Sequence, residues 1–178
     1  MNPLLTEQHE ALRRDIREFA EREIAPKAAT LDENEEFSVE LTHKMGAAGI
    51  LGLNMPKEYG GRGLDTLSYI IAVEELARID SSQAATVVAH NSLGLVPILD
   101  YGNEEQKKKY LPQLTTGNKL WAFGLTEENA GSDAMATETV AVRDGDYWVI
   151  NGAKRFITNA STPITLGVTL QVKTADES

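Results

Sequence analysis

Apolar positions in the first part of the chain recur at helical spacing. Leu5, Leu12, Ile16 and Phe19 fall 7, 4 and 3 residues apart on one stripe, while Arg13, Arg14, Asp15, Arg17 and Glu18 take the other side. Pro26 is expected to limit this helix. A second helix should start at Ser38 as N-cap and carry Leu41, Met45 and Ala48, weakened by Gly46 and Gly49. After the glycine-rich link "MPKEYGGRGLD", Asp65 can cap a third helix. Its Leu67, Ile70, Ile71, Val73 and Leu76 are too many for one narrow stripe, which predicts a central helix buried on more than one face. Asp80 with Gln83, and Asn103 with Gln106, repeat the spacing of a capping box. In the helix after Asn103, Glu104 and Glu105 should lie at the positive end and Lys107 to Lys109 toward the negative end, reading as a helix end rather than an anion site.

After Gly117 the period changes to two. Asp144-Gly145 and Asn151-Gly152 are both hairpin signals, set between segments rich in Val, Ile, Thr, Tyr, Trp and Phe. Ile164, Leu166, Val168, Leu170 and Val172 alternate with Thr165, Gly167, Thr169, Gln171 and Lys173, predicting a half-buried strand. The expected fold class is α+β: an all-helical domain over residues 1–117, then an antiparallel β domain over 118–178 that stops after about four strands. The short boundary "LTTGNK" predicts that the halves pack directly on each other.

Composition narrows the chemistry. A net charge of −10 over 178 residues argues against sequence-independent nucleic-acid binding, which needs a basic face. The absence of cysteine excludes disulfides, thiolate metal sites and a cysteine nucleophile. The start "MNPLLTEQHEALRR" lacks a signal-peptide apolar run, and no segment nears the ~20 apolar residues of a membrane span. A cytoplasmic location is the expectation. His9, His43 and His90 fall in no metal-ligand spacing, and His90, following "AATVVA", reads as a hydrogen-bonded structural histidine. No GxGxxG, GxxxxGK[ST] or GxSxG occurs, and the glycines of "YGGRGLD" follow a helix rather than a strand, so a Rossmann dinucleotide site is not expected. The pair Glu74 and Glu75 reads as solvated or cap-contacting.

That leaves "LTEENAGSDA", Leu125 to Ala134, opening after the apolar Leu120 to Phe123. It is either an ordinary surface turn or a loop whose backbone and hydroxyls grip a polar ligand. A flavin ring needs N–H groups and hydroxyls at its carbonyl edge and a flat apolar wall. The loop offers Thr126 and Ser132 with Gly131 between them, and "RFITN" offers Phe156 and Thr158 on one side of a strand. Spacing alone leaves open whether these parts meet.

"AFGLTEENAGSDA" resembles the flavin-binding signature of the acyl-CoA dehydrogenases, Leu/Val-Thr-Glu-Pro-x-Ala-Gly-Ser-Asp, and "WVINGAKRFITNA" resembles the family's second block. "GILGLNMPKEYGGRGLD", "EELARIDSS" and "YGNEEQKKKYLPQLTTGN" are similar to its N-terminal domain. The resemblance implies a helical domain, a middle β-barrel and a C-terminal helical bundle, usually in a homotetramer. The β part here would then be an incomplete barrel, with the bundle that usually supplies the catalytic carboxylate missing from these 178 residues.

By the same resemblance Phe123, Leu125 and Thr126 would line FAD. Gly131 and Ser132 would sit by its pyrophosphate, Ser132 also near the acyl-CoA pantetheine. Phe156 would stack on the ring, and Thr158 would bond near N5. No catalytic base is expected among these residues, because Glu127, Glu128 and Asp133 belong to the flavin loop; no metal is expected either. Glu128 departs from the family pattern, which commonly has Pro there. The implied activity is α,β-dehydrogenation of an acyl-CoA in fatty acid metabolism, with electrons passed to an electron-transfer flavoprotein. The chain alone is expected to be inactive. Alternatives are a flavin oxidase or monooxygenase of the same fold, and a flavin-free, non-catalytic binding or assembly module.

Overall fold

The computed structural model describes residues 5–174. Helix α1 (Glu7–Phe19) begins with a capping box in which Thr6 and His9 satisfy each other's backbone N–H, and buries Leu12, Ile16 and Phe19 as the stripe predicts. It does not end at Pro26. A π-helical turn over Ala20–Ile24 leads straight into α2 (Ala25–Glu33), with the Ala25 N–H reaching back to the Ala20 carbonyl. The wider turn puts Pro26 at the second position of a new α segment, where its missing N–H leaves no helical bond unmade. The same arrangement recurs downstream: α5 (Ser81–Val88) passes through a π segment, Ala89–Leu95, into α6 (Val96–Tyr101), with Pro97 at its start.

Ser38 caps α3 (Val39–Ala47) through the Leu41 N–H, and Asp65 caps α4 (Thr66–Ala77) through the Ser68 N–H. A Cβ on Gly46 would fall 2.2 Å from the Thr116 carbonyl oxygen, so only glycine lets α3 lie against the end of α7 (Glu104–Thr115). Helix α4 packs between α1 and α5 and buries two faces, leaving Ile70 half exposed. Glu75 on it is buried, not solvated: its carboxylate takes Arg13, Arg17 and Arg78 at 2.8–2.9 Å. The Asn103–Gln106 box closes fully, whereas Asp80 caps α5 without a return bond from Gln83. Because α7 continues through Pro112 to Thr115, Lys107 to Lys109 lie mid-helix rather than in the last turn.

The sheet part departs most from the pattern. β1 (Leu120–Gly124) pairs in parallel with β4 (Thr165–Leu170), not with a hairpin neighbour. β2 (Val140–Asp144) and β3 (Tyr147–Asn151) form the hairpin that Asp144-Gly145 predicts, with β5 (Lys173–Thr174) parallel on the other edge of β2. Among the described residues only β2 and β3 are antiparallel, in two small sheets that do not close into a barrel. Asn151-Gly152 makes no turn back. A Cβ on Gly152 would meet Thr139 Oγ1 at 2.3 Å, so this glycine serves a close crossing of two chain segments. In β4, Gly167 and Thr169 face Trp121, while Leu166 and Leu170 stand partly exposed on the opposite face. Leu120 and Ile164 join the main helical core, so the halves pack directly on each other as the short boundary predicts.

Candidate functional site

A recess of about 210 Å³ opens where β1 runs out beside the second π segment. It is lined by Phe123, Leu125, Thr126, Phe156 and Thr158, together with Ala89, Leu93 and Ile157. Five of the seven cofactor residues expected from sequence therefore converge. Gly131 and Ser132 do not line it; they are exposed on the turn that follows. Among the described residues nothing lies within 4 Å of a Cβ built on Gly131, so no contact with them requires glycine there.

Phe156 is 90% exposed and held at φ 57, a left-handed conformation that costs a large side chain energy. An aromatic ring in that state contributes nothing to the core and leaves a face open to packing from outside. Neither the Thr126 nor the Thr158 hydroxyl hydrogen-bonds to another described residue. The recess thus offers an apolar floor with two unengaged hydroxyls, the donor set a flavin ring's polar edge requires. Its volume lies below the ~300–1,000 Å³ of a typical ligand pocket. A roomier apolar hollow along Pro97, Ile98, Tyr101, Tyr110 and Trp121 offers less chemistry, since its Thr169 hydroxyl already accepts from the Trp121 indole at 2.9 Å.

Ala89 and Leu93 carried no signal at the sequence level beyond apolarity. They reach the recess because the π segment turns them there, and two fully buried side chains anchor that segment. Asn91 accepts from the Gly52 N–H and donates to the Ile50 carbonyl, each at 3.0 Å. His90 donates from Nε2 to the Leu114 carbonyl at 3.0 Å and accepts at Nδ1 from the Trp121 N–H at 3.2 Å, tying α7 to β1. Burial pushes its pKa down to about 4, so it is the neutral, structural histidine the pattern predicts.

Glu127, beside Thr126, is buried and heavily engaged. It accepts from Lys154 Nζ at 2.7 Å, from Thr139 Oγ1 at 2.5 Å and from the Glu138 and Thr139 N–H groups. Lys154, then these hydrogen bonds, hold its carboxyl at about 2. Glu128, at the position where a proline was expected, faces Arg155 at 3.3 Å on the surface, so its charge is answered locally.

Similarity to known proteins agrees with this geometry. Residues 6–118 match the sequence model for "Acyl-CoA dehydrogenase, N-terminal domain", and residues 122–178 that for "Acyl-CoA dehydrogenase, middle domain". The chain is 51% identical over 161 residues to a short-chain specific acyl-CoA dehydrogenase of Clostridium acetobutylicum, covering 90% of this chain and 42% of that protein. Butyryl-CoA dehydrogenase from Megasphaera elsdenii superimposes with TM-score 0.83 at 41% identity, covering 90% of this chain and 43% of that one. An acyl-CoA dehydrogenase complexed with FAD from Bacillus anthracis gives 0.90 at 38% identity, covering 97% and 30%. A chain in a structure of the electron transferring flavoprotein of Acidaminococcus fermentans gives 0.86 at 46% identity, covering 90% and 42%. The chain spans less than half the length of the curated relatives it matches. With both of its parts matched by the family's domain models, over residues 6–118 and 122–178, the chain belongs to the acyl-CoA dehydrogenase family.

Proposed function

We propose that the chain is the N-terminal portion of an FAD-dependent enzyme that α,β-dehydrogenates an acyl-CoA thioester. The observation that carries this reading is the convergence of Thr126 and Thr158 with Phe123, Leu125 and Phe156 on one recess. Bound FAD would supply the acceptor for the hydride that leaves the β-carbon. The chain's own residues hold and orient it. Leu125 and Phe123 would form the apolar floor, Thr126 would donate at the pyrimidine edge, Phe156 would cover a ring face, and Thr158 would donate near N5. Gly131 and Ser132, on the exposed turn that follows, would meet the pyrophosphate and the pantetheine. Fitted to a heteroaromatic ring, the recess excludes water on its protein side.

No carboxylate is among the residues that line the recess, so the α-proton would be taken by a group that is not one of them. A base works best with a pKa near the operating pH. Glu127, held at about 2 and occupied by its donors, is unsuited to that task. The organisation that goes with this reading is a helical domain over 1–117 and a flavin-binding middle domain from 118, in a cytoplasmic homotetramer serving fatty acid metabolism. Among the described residues no helix is long and apolar enough to cross a membrane. Electron-transfer flavoprotein is the proposed acceptor, and the similarity to a chain in a structure of the electron transferring flavoprotein of Acidaminococcus fermentans supports it.

The test is anaerobic mixing of the complete, FAD-loaded protein with butyryl-CoA. Bleaching of the flavin band, followed by reoxidation by electron-transfer flavoprotein faster than by air, is the expected result. Colourless protein whose melting temperature ignores FAD would overturn the reading, and rapid reoxidation by oxygen would replace it with an oxidase.

A further inference from the structure

Glu127 and Lys154 form an ion pair whose side chains are only 4% and 8% exposed. Each belongs to a different one of two segments that line the recess beside the π segment: the loop after β1 and the stretch after β3. Lys154 Nζ also donates to the Leu125 carbonyl at 3.0 Å, and the Arg155 N–H donates to the Thr126 carbonyl at 2.8 Å. Glu127 in turn grips the start of β2 through the Glu138 and Thr139 N–H groups. The backbone on both sides of Thr126 is therefore fixed to the segment that carries Phe156 and Thr158.

A buried ion pair is a weak means of stabilising a fold, because an apolar pair of similar volume often does as well or better. Its presence at the seam between the two ligand-facing segments calls for another role. Neither charged side chain lines the recess, so neither is catalytic.

We propose that the Glu127–Lys154 pair is the positioning element of the recess: it sets Thr126 against Thr158 and keeps the ground beside the ring's polar edge electrically neutral. This rests on the flavin reading above. Both residues act through Leu125, Thr126 and Phe156. If neutrality matters, the two halves of the pair must have opposite electrical effects. Glu127→Gln preserves shape and leaves a cation next to Leu125, favouring the more negative, reduced flavin. Lys154→Met leaves an anion and disfavours it. A purely structural role would not produce shifts of opposite sign.

The experiment measures FAD affinity and the flavin midpoint potential in the complete protein and in Glu127→Gln, Lys154→Met and the double variant. Expected are a raised potential in the first, a lowered one in the second, a near wild-type value in the double, and roughly fivefold or greater loss of FAD affinity in all three. Folded single variants whose potentials are unchanged, or move in the same direction, overturn the proposal. If the singles do not fold, the double variant, which leaves no unpaired charge, decides: weakened FAD binding at an unchanged melting temperature supports the role, and wild-type affinity overturns it. A wild-type protein that takes up no FAD defeats the flavin reading itself, and with it this inference, before any variant is read.

Discussion

Thr126 and Thr158 present hydroxyls to the same recess from two separate segments, and Phe156 stands almost fully in solvent at positive φ. These three side chains separate binding from folding. Thr126→Val and Thr158→Val are each expected to weaken FAD binding roughly tenfold, the scale of one hydrogen bond of about 1–1.5 kcal/mol, with melting temperatures unchanged; fluorescence titration of FAD checks both. Phe156→Gly should melt at or slightly above wild type, since glycine relieves the left-handed backbone, yet hold FAD less tightly. A lowered melting temperature would mean that the ring is part of the core after all. His90 gives the residue scale its pH dependence. Its folded pKa of about 4 lies below the ordinary 6.5. Between these values the unfolded chain binds a proton that the folded one refuses, so stability is complete above pH 6.5 and declines as the pH falls toward 4. Melting curves across that range should show the slope in wild type and a flatter one in His90→Gln.

At the scale of elements, α1 and α4 are joined by the carboxylate of Glu75 under three arginines. Glu75→Ala is expected to cost about 2–3 kcal/mol in urea denaturation, below the ~3–5 of fully buried pairs because the arginines remain partly in water. Its pKa of about 2 lies under the ordinary 4.5, so this contribution is present above pH 4.5 and lost as the pH falls toward 2. The π segment Ala89–Leu95 carries the recess's helical wall. Deleting Ser92 should restore α-helical register, leave far-UV circular dichroism nearly unchanged, and abolish FAD binding by rotating Leu93 away.

The helix starts were legible because Ser38, Asp65 and Asn103 cap by local chemistry that needs no tertiary partner. The passage beyond Pro26 was not, because a proline in sequence does not reveal that a wider turn precedes it. Gly152 looked like a turn residue but is spent on contact with Thr139, and the pairing of β1 with β4 joins residues no local pattern relates. The loop Leu125 to Ala134 was readable as a motif. Glu127 looked like one more loop carboxylate because its partners Thr139 and Lys154 are remote in sequence.

For the molecule as a whole, the helical core is well covered, but the β2–β3 hairpin exposes Tyr147, Trp148, Val149 and Ile150. β3 is an edge strand held only by β2, in a sheet whose third strand, β5, spans two residues, and so small a sheet adds little stability of its own. Its amides should exchange with deuterium well before those of α4, and Trp148→Ser should change stability by less than about 0.5 kcal/mol. Sedimentation of the chain at rising concentration is expected to show self-association that this substitution lowers, since exposed apolar patches promote contact.

The parallel pairing of β1 with β4 also dictates a timetable. Leu120 finds its partner only at Thr165, 45 positions later, whereas the helices form from near neighbours. Contacts of such long reach close late because loop closure precedes their reward. The helical half should therefore assemble first, and the recess, which needs β1 settled, should be the last part of the molecule to acquire its shape.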